Sequence, residues 1–292
     1  MIVYSNGCSH TAGACIRRTK TYPHAFMDYV ATSIGEDNYL EWEHFIKPHK
    51  TTLEYEKLVE NHKGDHLLVF NAHHGKSNDK IYYETIDFVM RMIRMDKKPD
   101  YVLIQWSGPN RRIFTPEPSN SRESIQDQVY DATPWDYTEK GIYFETYASK
   151  HTLQLMISLQ DFLKKYGIEY VFIPYMELEK SPLQIETEVL DLNKFTTDPF
   201  VGHRNIFRFK GLACDEAGHP NELGNYFLLS KILEILDLEE FDKGMKYWDW
   251  DIKQHMDSHA GKKEGLLKRY WDKLGDGTIL DLKNLDKFKR LI

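Results

Sequence analysis

The stretch "IVYSNGCSHTAG", residues 2–13, joins a short apolar run directly to a turn of small and polar residues. A continuous apolar run of this length is typical of a strand that is buried on both faces of a parallel sheet. Ser9 follows the run, with Gly7 and Gly13 on either side. A serine at the carboxyl end of such a strand is either a turn residue or a nucleophile, and the rest of the sequence has to distinguish the two.

Similar apolar runs recur along the chain and alternate with helical patterns. The predicted strands are residues 2–5, 66–72, 100–107 and 169–175, with a weaker fifth candidate at 205–213, and the predicted helices are residues 22–34, 78–95, 146–166 and 221–237. Alternation of this kind predicts βαβ units with helices on both sheet faces. We therefore expect a three-layer α/β/α sandwich over residues 1–237, with a mostly parallel, flavodoxin-like sheet of about five strands.

Three segments interrupt this alternation, and the end of the chain differs in character. Residues 37–65, 111–144 and 180–204 are predicted insertions, and loops of that length commonly shape a binding site. Residues 238–292 combine charges of both signs with three of the six tryptophans. We expect this segment to form a charged, helical extension that docks on the α/β/α domain itself, on another copy of the chain or on a foreign partner such as a virion component.

Composition excludes several classes of protein. The formal net charge is −7 and no long basic run occurs, which argues against nucleic-acid binding. Three cysteines without a CxxC spacing predict neither a disulfide framework nor a zinc site, and favour a reducing compartment. The first residues lack the features of a signal peptide, and no stretch approaches about 18 consecutive apolar residues. We expect a cytoplasmic location without membrane contact, with association with a virion as a second location.

Polar residues at the ends of the predicted strands supply the parts of an acyl-transfer site. Ser9 follows the first strand, Gly75 the second and Asn110 the third, while His219 precedes the last helix. A serine hydroxyl needs a base such as histidine to become a good nucleophile. The backbone N–H groups of Ser9 and Gly75 and the side-chain amide of Asn110 are the candidate oxyanion donors.

The same residues resemble the motifs of the SGNH, or GDSL-type, hydrolases. The sequence "GCSHTAG", residues 7–13, matches that family's G-x-S-x-T-x-G block, Gly75 stands at its oxyanion glycine, residues 108–110 match its G-x-N block, and residues 219–220 match its final histidine block. The run "HPNELGN", residues 219–225, is similar to compact members that tailed bacteriophages encode. This resemblance covers residues 1 to about 237 and implies a serine hydrolase.

Two departures from the family pattern bear on the site. Arg111 follows Asn110, where the family commonly has an aspartate. The family's triad acid stands three residues before the histidine, a position that Glu216 occupies, whereas the aspartate lies four before it, at Asp215. Spacing favours Glu216 and residue type favours Asp215. We lean to Asp215, because a loop absorbs one inserted residue easily.

The sequence predicts a serine esterase that acts on small acyl esters, such as O-acetyl groups on a carbohydrate, and that needs no cofactor. His10, His73, His74 and Trp106 are the predicted substrate contacts. A metal site is the less favoured interpretation of the histidines, since the run "HMDSH", residues 255–259, lacks the glutamate of H-E-x-x-H. The alternatives are acyl transfer by the same site, or a structural module of a virion on this scaffold.

Overall fold

A parallel five-stranded sheet forms the centre of the protein. The computed structural model describes residues 1–14, 16, 21–33, 39–43, 59–62, 66–109, 111–114, 130–132, 145–178, 188–210, 212–215 and 218–238. In chain order its strands are β1 (Ile2–Gly7), β2 (Tyr39–Glu43), β3 (His66–Ala72), β4 (Tyr101–Trp106), β5 (Arg112–Phe114), β6 (Tyr130–Ala132) and β7 (Glu169–Pro174). The large sheet has the order β2-β3-β1-β4-β7, and β5 pairs with β6 in a separate antiparallel ribbon.

Helices cover both faces of the large sheet. They are α1 (Tyr22–Ser33), α2 (Asn78–Arg94), α3 (Glu145–Lys165), α4 (His203–Lys210) and α5 (Glu222–Ile235). Helices α1 and α5 pack together on one face, and α2 and α3 pack together on the other. Neighbouring strand residues point to opposite faces, so Val3 joins the first of these cores and Tyr4 the second. The predicted three-layer α/β/α sandwich is confirmed.

Because both faces of the sheet are covered, its inner strands need apolar residues at successive positions. In β3, every residue except Asn71 is buried. The helices need only an apolar stripe, and the buried residues of α2 include Ile81, Phe88, Val89 and Met92. These two patterns made four strands and four helices predictable from the sequence.

The predicted fifth strand at residues 205–213 is wrong. Its first part lies in helix α4, where Phe207 is fully buried in the core that α1 and α5 line. The fifth strand of the sheet is instead β2, inside the predicted insertion 37–65, where it pairs with β3 at the sheet edge. Its sequence, "YLEWE", alternates polar and apolar residues, as is typical of an edge strand, and it contains no continuous apolar run.

The order of the strands determines where a site can form. The chain leaves β1 towards β2 and β3, and then crosses back to place β4 on the other side of β1. The carboxyl ends of β3, β1 and β4 therefore meet at a point where the strand order reverses, which is the usual ligand site of an open parallel sheet.

The described part of the chain includes no helix that is long and apolar enough to cross a membrane. Of the predicted C-terminal extension only Leu238 is among the described residues, and the predicted helical character of residues 239–292 stays a prediction.

Candidate active site

A tight turn directly after β1 carries Ser9. The backbone N–H groups of Thr11 and Ala12 both donate to the carbonyl oxygen of Cys8, at 3.1 and 3.0 Å. The turn places Ser9 at the carboxyl end of the central strand, where the residue is 6% exposed. A Cβ atom on Gly7 would lie 2.3 Å from Thr11 Oγ1, so a side chain there would displace the turn and Ser9 with it.

Gln105 holds this turn from the neighbouring strand β4. Its side-chain oxygen accepts hydrogen bonds from the backbone N–H of Cys8 at 3.2 Å and from the hydroxyl of Thr11 at 2.9 Å. Its side-chain nitrogen donates to the carbonyl oxygen of Trp106 at 2.7 Å. Gln105 is fully buried. Our sequence analysis missed this residue, and the available signal was a single amide side chain within an otherwise apolar strand.

A loop between α4 and α5 carries His219. Two hydrogen bonds join the ends of this loop. The backbone N–H of Cys214 donates to the carbonyl oxygen of His219 at 2.9 Å, and the backbone N–H of Asn221 donates to the carbonyl oxygen of Leu212 at 2.8 Å. Gly218 directly before the histidine has a φ of +86°, a left-handed conformation that glycine adopts without strain. The loop thereby presents the imidazole of His219 to the end of β1.

Ser9, His219 and Asp215 form a hydrogen-bonded chain. Ser9 Oγ lies 2.9 Å from His219 Nε2, and Asp215 Oδ2 lies 2.6 Å from His219 Nδ1. The backbone N–H of His219 also donates to Asp215 Oδ1 at 3.0 Å, which fixes the carboxylate relative to the ring. With Nδ1–H donating to Asp215, the lone pair of Nε2 is directed at the serine hydroxyl.

The structure thus brings Asp215, four residues before the histidine, onto the imidazole. Glu216, the alternative acid, lies outside the described residues, and so does Asn110, the predicted side-chain oxyanion donor.

Gly75, the second predicted oxyanion residue, follows β3 at the same edge of the sheet. It is exposed and has a φ of +79°, again in the left-handed region. Within the described residues, nothing comes within 4 Å of the position that a Cβ atom would take. The glycine is therefore required here by its backbone conformation and not by crowding.

The ring of His10 lies against that of His219. The two ring centroids are 4.4 Å apart with an interplanar angle of 22°. The ring of His10 also stacks on that of Tyr175, with a centroid distance of 3.4 Å and an angle of 30°. His10 is buried, and its Nδ1 lies 3.0 Å from Cys8 Sγ. The His10 ring therefore stacks on the ring that faces Ser9. Its contact with a substrate stays a prediction, because its exposed fraction of 7% is close to the 6% of Ser9. Burial raises the pKa of Tyr175, so that its hydroxyl stays protonated.

Trp106, in contrast, does not fit its predicted role as a substrate contact. It is 1% exposed, packs edge-on against Phe172 at 5.5 Å, and belongs to the core that α2 and α3 cover. Its indole would have to leave that core to stack on a ligand.

His73 and His74 lie beside Gly75, at the mouth of the site. His74 is exposed and His73 is partly buried, with its Nδ1 3.0 Å from the carbonyl oxygen of His74. Burial, together with the nearby charge of Lys76, lowers the pKa of His73 to about 4, so this ring is neutral at pH 7. Contact of either side chain with a substrate stays a prediction.

The side chains that commonly bind transition metals are those of His, Cys, Asp and Glu, and many of them lie in the described part of the chain. In that part of the chain no group of three or more His, Cys, Asp or Glu side chains is arranged to hold a metal ion.

Comparison with known proteins gives similarity at the level of structure. No protein-family model matches the sequence, and no curated protein matches it significantly. Among solved structures, the chain is similar to the acetyl xylan esterase AlAXEase, with 13% identity, 80% of this chain and 98% of that chain covered, and a TM-score of 0.43. It is also similar to a protein described as lipolytic and of the G-D-S-L family from Desulfitobacterium hafniense DCB-2, with 12% identity, coverages of 80% and 98%, and a TM-score of 0.40.

A third similar structure is a catalytic mutant of the acetylxylan esterase Axe2 from Geobacillus stearothermophilus, with 12% identity, coverages of 82% and 94%, and a TM-score of 0.39. Since the identities and TM-scores are low, we base the function proposed below on the side-chain geometry of this chain. The similarity to phage-encoded members stays a prediction.

Proposed function

We propose that this protein is a serine esterase of the SGNH type that works through an acyl-Ser9 intermediate. The observation that carries the proposal is the continuous hydrogen-bonded chain from Ser9 Oγ through the His219 ring to the Asp215 carboxylate, with distances of 2.9 and 2.6 Å. A nucleophile, a base and a group that orients the base are the three parts that this chemistry needs.

In the first half of the reaction, Ser9 Oγ attacks the ester carbonyl carbon and its proton passes to His219 Nε2. The Asp215 carboxylate stabilises the imidazolium that results, because it accepts the Nδ1–H hydrogen bond. Collapse of the tetrahedral intermediate breaks the bond to the alcohol oxygen. His219 returns the proton to that oxygen, so the alcohol leaves and the acyl group remains on Ser9.

In the second half, a water molecule takes the place of the alcohol. His219 Nε2 accepts a proton from the water as its oxygen attacks the acyl carbon, and then gives that proton to Ser9 Oγ. The carboxylic acid is released and the serine is restored. If another hydroxyl compound takes the position of the water, the same residues carry out acyl transfer.

The negative charge on the carbonyl oxygen requires hydrogen-bond donors in both halves. We assign this role to the backbone N–H groups of Ser9 and Gly75 and to the side-chain amide of Asn110. Loss of one such donor typically lowers kcat by about 10²- to 10³-fold. The left-handed conformation of Gly75 and its exposed position after β3 support its part in the assignment.

We propose short acyl groups on a carbohydrate, with acetyl as the first candidate, as the substrate class. The resemblance of the four sequence motifs to SGNH hydrolases is the ground for this choice.

The test compares wild type with Ser9→Ala on p-nitrophenyl acetate and on an acetylated xylooligosaccharide. We expect Ser9→Ala to lower kcat/KM by at least about 10³-fold while its circular dichroism spectrum stays that of wild type. Adding an alcohol acceptor and measuring the acetylated product separates hydrolysis from transfer.

Cys8→Ala is the matched control, because a thiol next to Ser9 is the other possible nucleophile. A fluorophosphonate should react with Ser9 in wild type and in Cys8→Ala, which peptide mapping by mass spectrometry detects. Ser9→Ala should not react, so its intact mass should stay unchanged. Labelling at Cys8, or equal ester hydrolysis by wild type and Ser9→Ala, would contradict the proposal.

A further inference from the structure

A buried lysine lies directly next to Gly75 in the chain. Lys76 is fully buried, and its Nζ donates to Asn6 Oδ1 at 2.8 Å, to Glu84 Oε2 at 2.6 Å and to the backbone carbonyl oxygen of Asn71. Lysine is almost never fully buried unless it is paired. The carboxylate of Glu84, on helix α2, balances the charge.

Asn6 connects this lysine to the turn that carries Ser9. Its side-chain oxygen accepts hydrogen bonds both from Lys76 Nζ and, at 2.8 Å, from the backbone N–H of Gly7. Its side-chain nitrogen donates to the carbonyl oxygen of Ile81 and to Thr85 Oγ1, each at 3.1 Å. Contacts on both ends of the amide fix its orientation. One amide oxygen thus joins the start of the Ser9 turn to the residue that follows Gly75.

On the side of the sheet, the loop that carries Gly75 is held by the hydrogen bonds that join Lys76 to Asn6 and Glu84. On its other side, Ser77 Oγ accepts from the backbone N–H of Lys80 at 3.3 Å, and Asn78 Oδ1 accepts from the backbone N–H of Ser107 at 2.7 Å. Gly75 itself is exposed and has no side chain to pack. Its position relative to Ser9 is therefore set by its neighbours in the chain. Two of them are tied to β1: His73 by its backbone N–H, which donates to the carbonyl oxygen of Gly7 at 3.3 Å, and Lys76 by its side chain, through Asn6.

We propose that Lys76 is a positioning residue, which holds the backbone N–H of Gly75 at a fixed place relative to Ser9 through Asn6. The proposal rests on the esterase function above. An oxyanion donor lowers the barrier only when it is already in place as the charge develops. A loosened Gly75 loop should therefore lower kcat and leave KM nearly unchanged.

A purely structural role for Lys76 makes a different prediction. A buried ion pair can often be replaced by two apolar side chains without loss of stability, whereas removal of one partner leaves an uncompensated charge. If Lys76 served stability alone, the double variant Lys76→Met/Glu84→Leu would regain wild-type activity together with its stability. If Lys76 positions the loop, the double variant stays impaired, because the contacts to Asn6 and to the Asn71 carbonyl are still missing.

The experiment measures kcat and KM on p-nitrophenyl acetate for wild type, Lys76→Met, the double variant and the control Lys80→Met, which removes a lysine from the first turn of α2. All are assayed well below their measured melting temperatures. We expect kcat to fall about 10- to 100-fold in both variants that lack Lys76, with KM within about threefold of wild type. A wild-type kcat in either of them, or a change confined to KM, would overturn the proposal.

Hydrogen–deuterium exchange provides a readout that does not depend on esterase activity. The peptide that spans residues 72–78 should exchange faster in Lys76→Met and in the double variant than in wild type and Lys80→Met. If wild type and Ser9→Ala hydrolyse esters equally, the proposed function fails while faster exchange still supports the role of Lys76 in fixing the loop. Unchanged exchange overturns that role whatever the activity.

Discussion

At the scale of single residues, Asp215 gives the sharpest test of the site. Its carboxylate contacts both the ring nitrogen and the backbone nitrogen of His219. Asp215→Asn keeps the size of the side chain but replaces the carboxylate by an amide. An amide does not select the His219 tautomer that carries its proton on Nδ1, and only this tautomer leaves the lone pair of Nε2 available to Ser9. We expect kcat to fall about 10³- to 10⁴-fold with little change in KM, measured on p-nitrophenyl acetate.

Glu216→Gln is the matched control for this substitution, since Glu216 occupies the position that family spacing favours. We expect its kcat to stay within about threefold of wild type, because Asp215 already occupies the hydrogen-bonding position on His219. A larger loss in Glu216→Gln than in Asp215→Asn would contradict the assignment of Asp215 as the triad acid and favour Glu216.

At the scale of secondary structure, the start of α5 holds the loop that carries His219. Asn221 Oδ1 accepts a hydrogen bond from the backbone N–H of Gly224 at 2.9 Å and so caps the helix. We expect Asn221→Ala to lower the free energy of unfolding by about 1 kcal/mol, measured by urea denaturation, because one N–H of the first turn loses its partner. Asn221→Ser retains a capping oxygen and should lose less than half of that. Equal losses in the two variants would rule out the cap as the cause.

The elements that the sequence predicts well are those whose burial is complete on both sides. The run "HLLVFNA", residues 66–72, is apolar because helices cover both faces of β3. Strand β2 escapes prediction because it lies at the sheet edge and its residues alternate. Residues 205–213 mislead because Phe207 and Phe209 alternate with Arg208 and Lys210, which is the period of a strand, and because a helix of eight residues is too short to show a clear helical period.

Residues of the candidate site are predictable from the sequence when their role depends on adjacent residues, and not when it depends on residues far away in the chain. Ser9 and His219 are recognisable because each stands in a short motif next to a strand or helix end. Gln105 and Lys76 are not, because their roles depend on partners 97 and 70 residues away in the chain. The choice between Asp215 and Glu216 depends on the path of one loop, which the spacing of residues alone does not determine.

At the scale of the whole molecule, a buried histidine should make stability depend on pH. His203, at the start of α4, is fully buried, and its Nε2 lies 2.7 Å from Thr196 Oγ1. Burial, reinforced by the charge of Lys231, lowers the pKa of His203 from 6.5 to about 3. Below pH 6.5 the His203 side chain of the unfolded chain therefore binds a proton, whereas in the folded chain it stays neutral down to about pH 3. The free energy of unfolding is then greatest above pH 6.5 and falls as the pH decreases.

From this group alone we expect a loss of about 2 kcal/mol between pH 7 and pH 5, measured by urea denaturation at both pH values. His203→Gln removes the titrating group and should lose about 2 kcal/mol less than wild type over the same interval, whatever its stability at pH 7. His74→Gln, a substitution of an exposed histidine, is the control and should follow wild type. If His203→Gln loses as much stability as wild type on acidification, the prediction is contradicted, because His203 then binds its proton equally well in the folded and the unfolded chain.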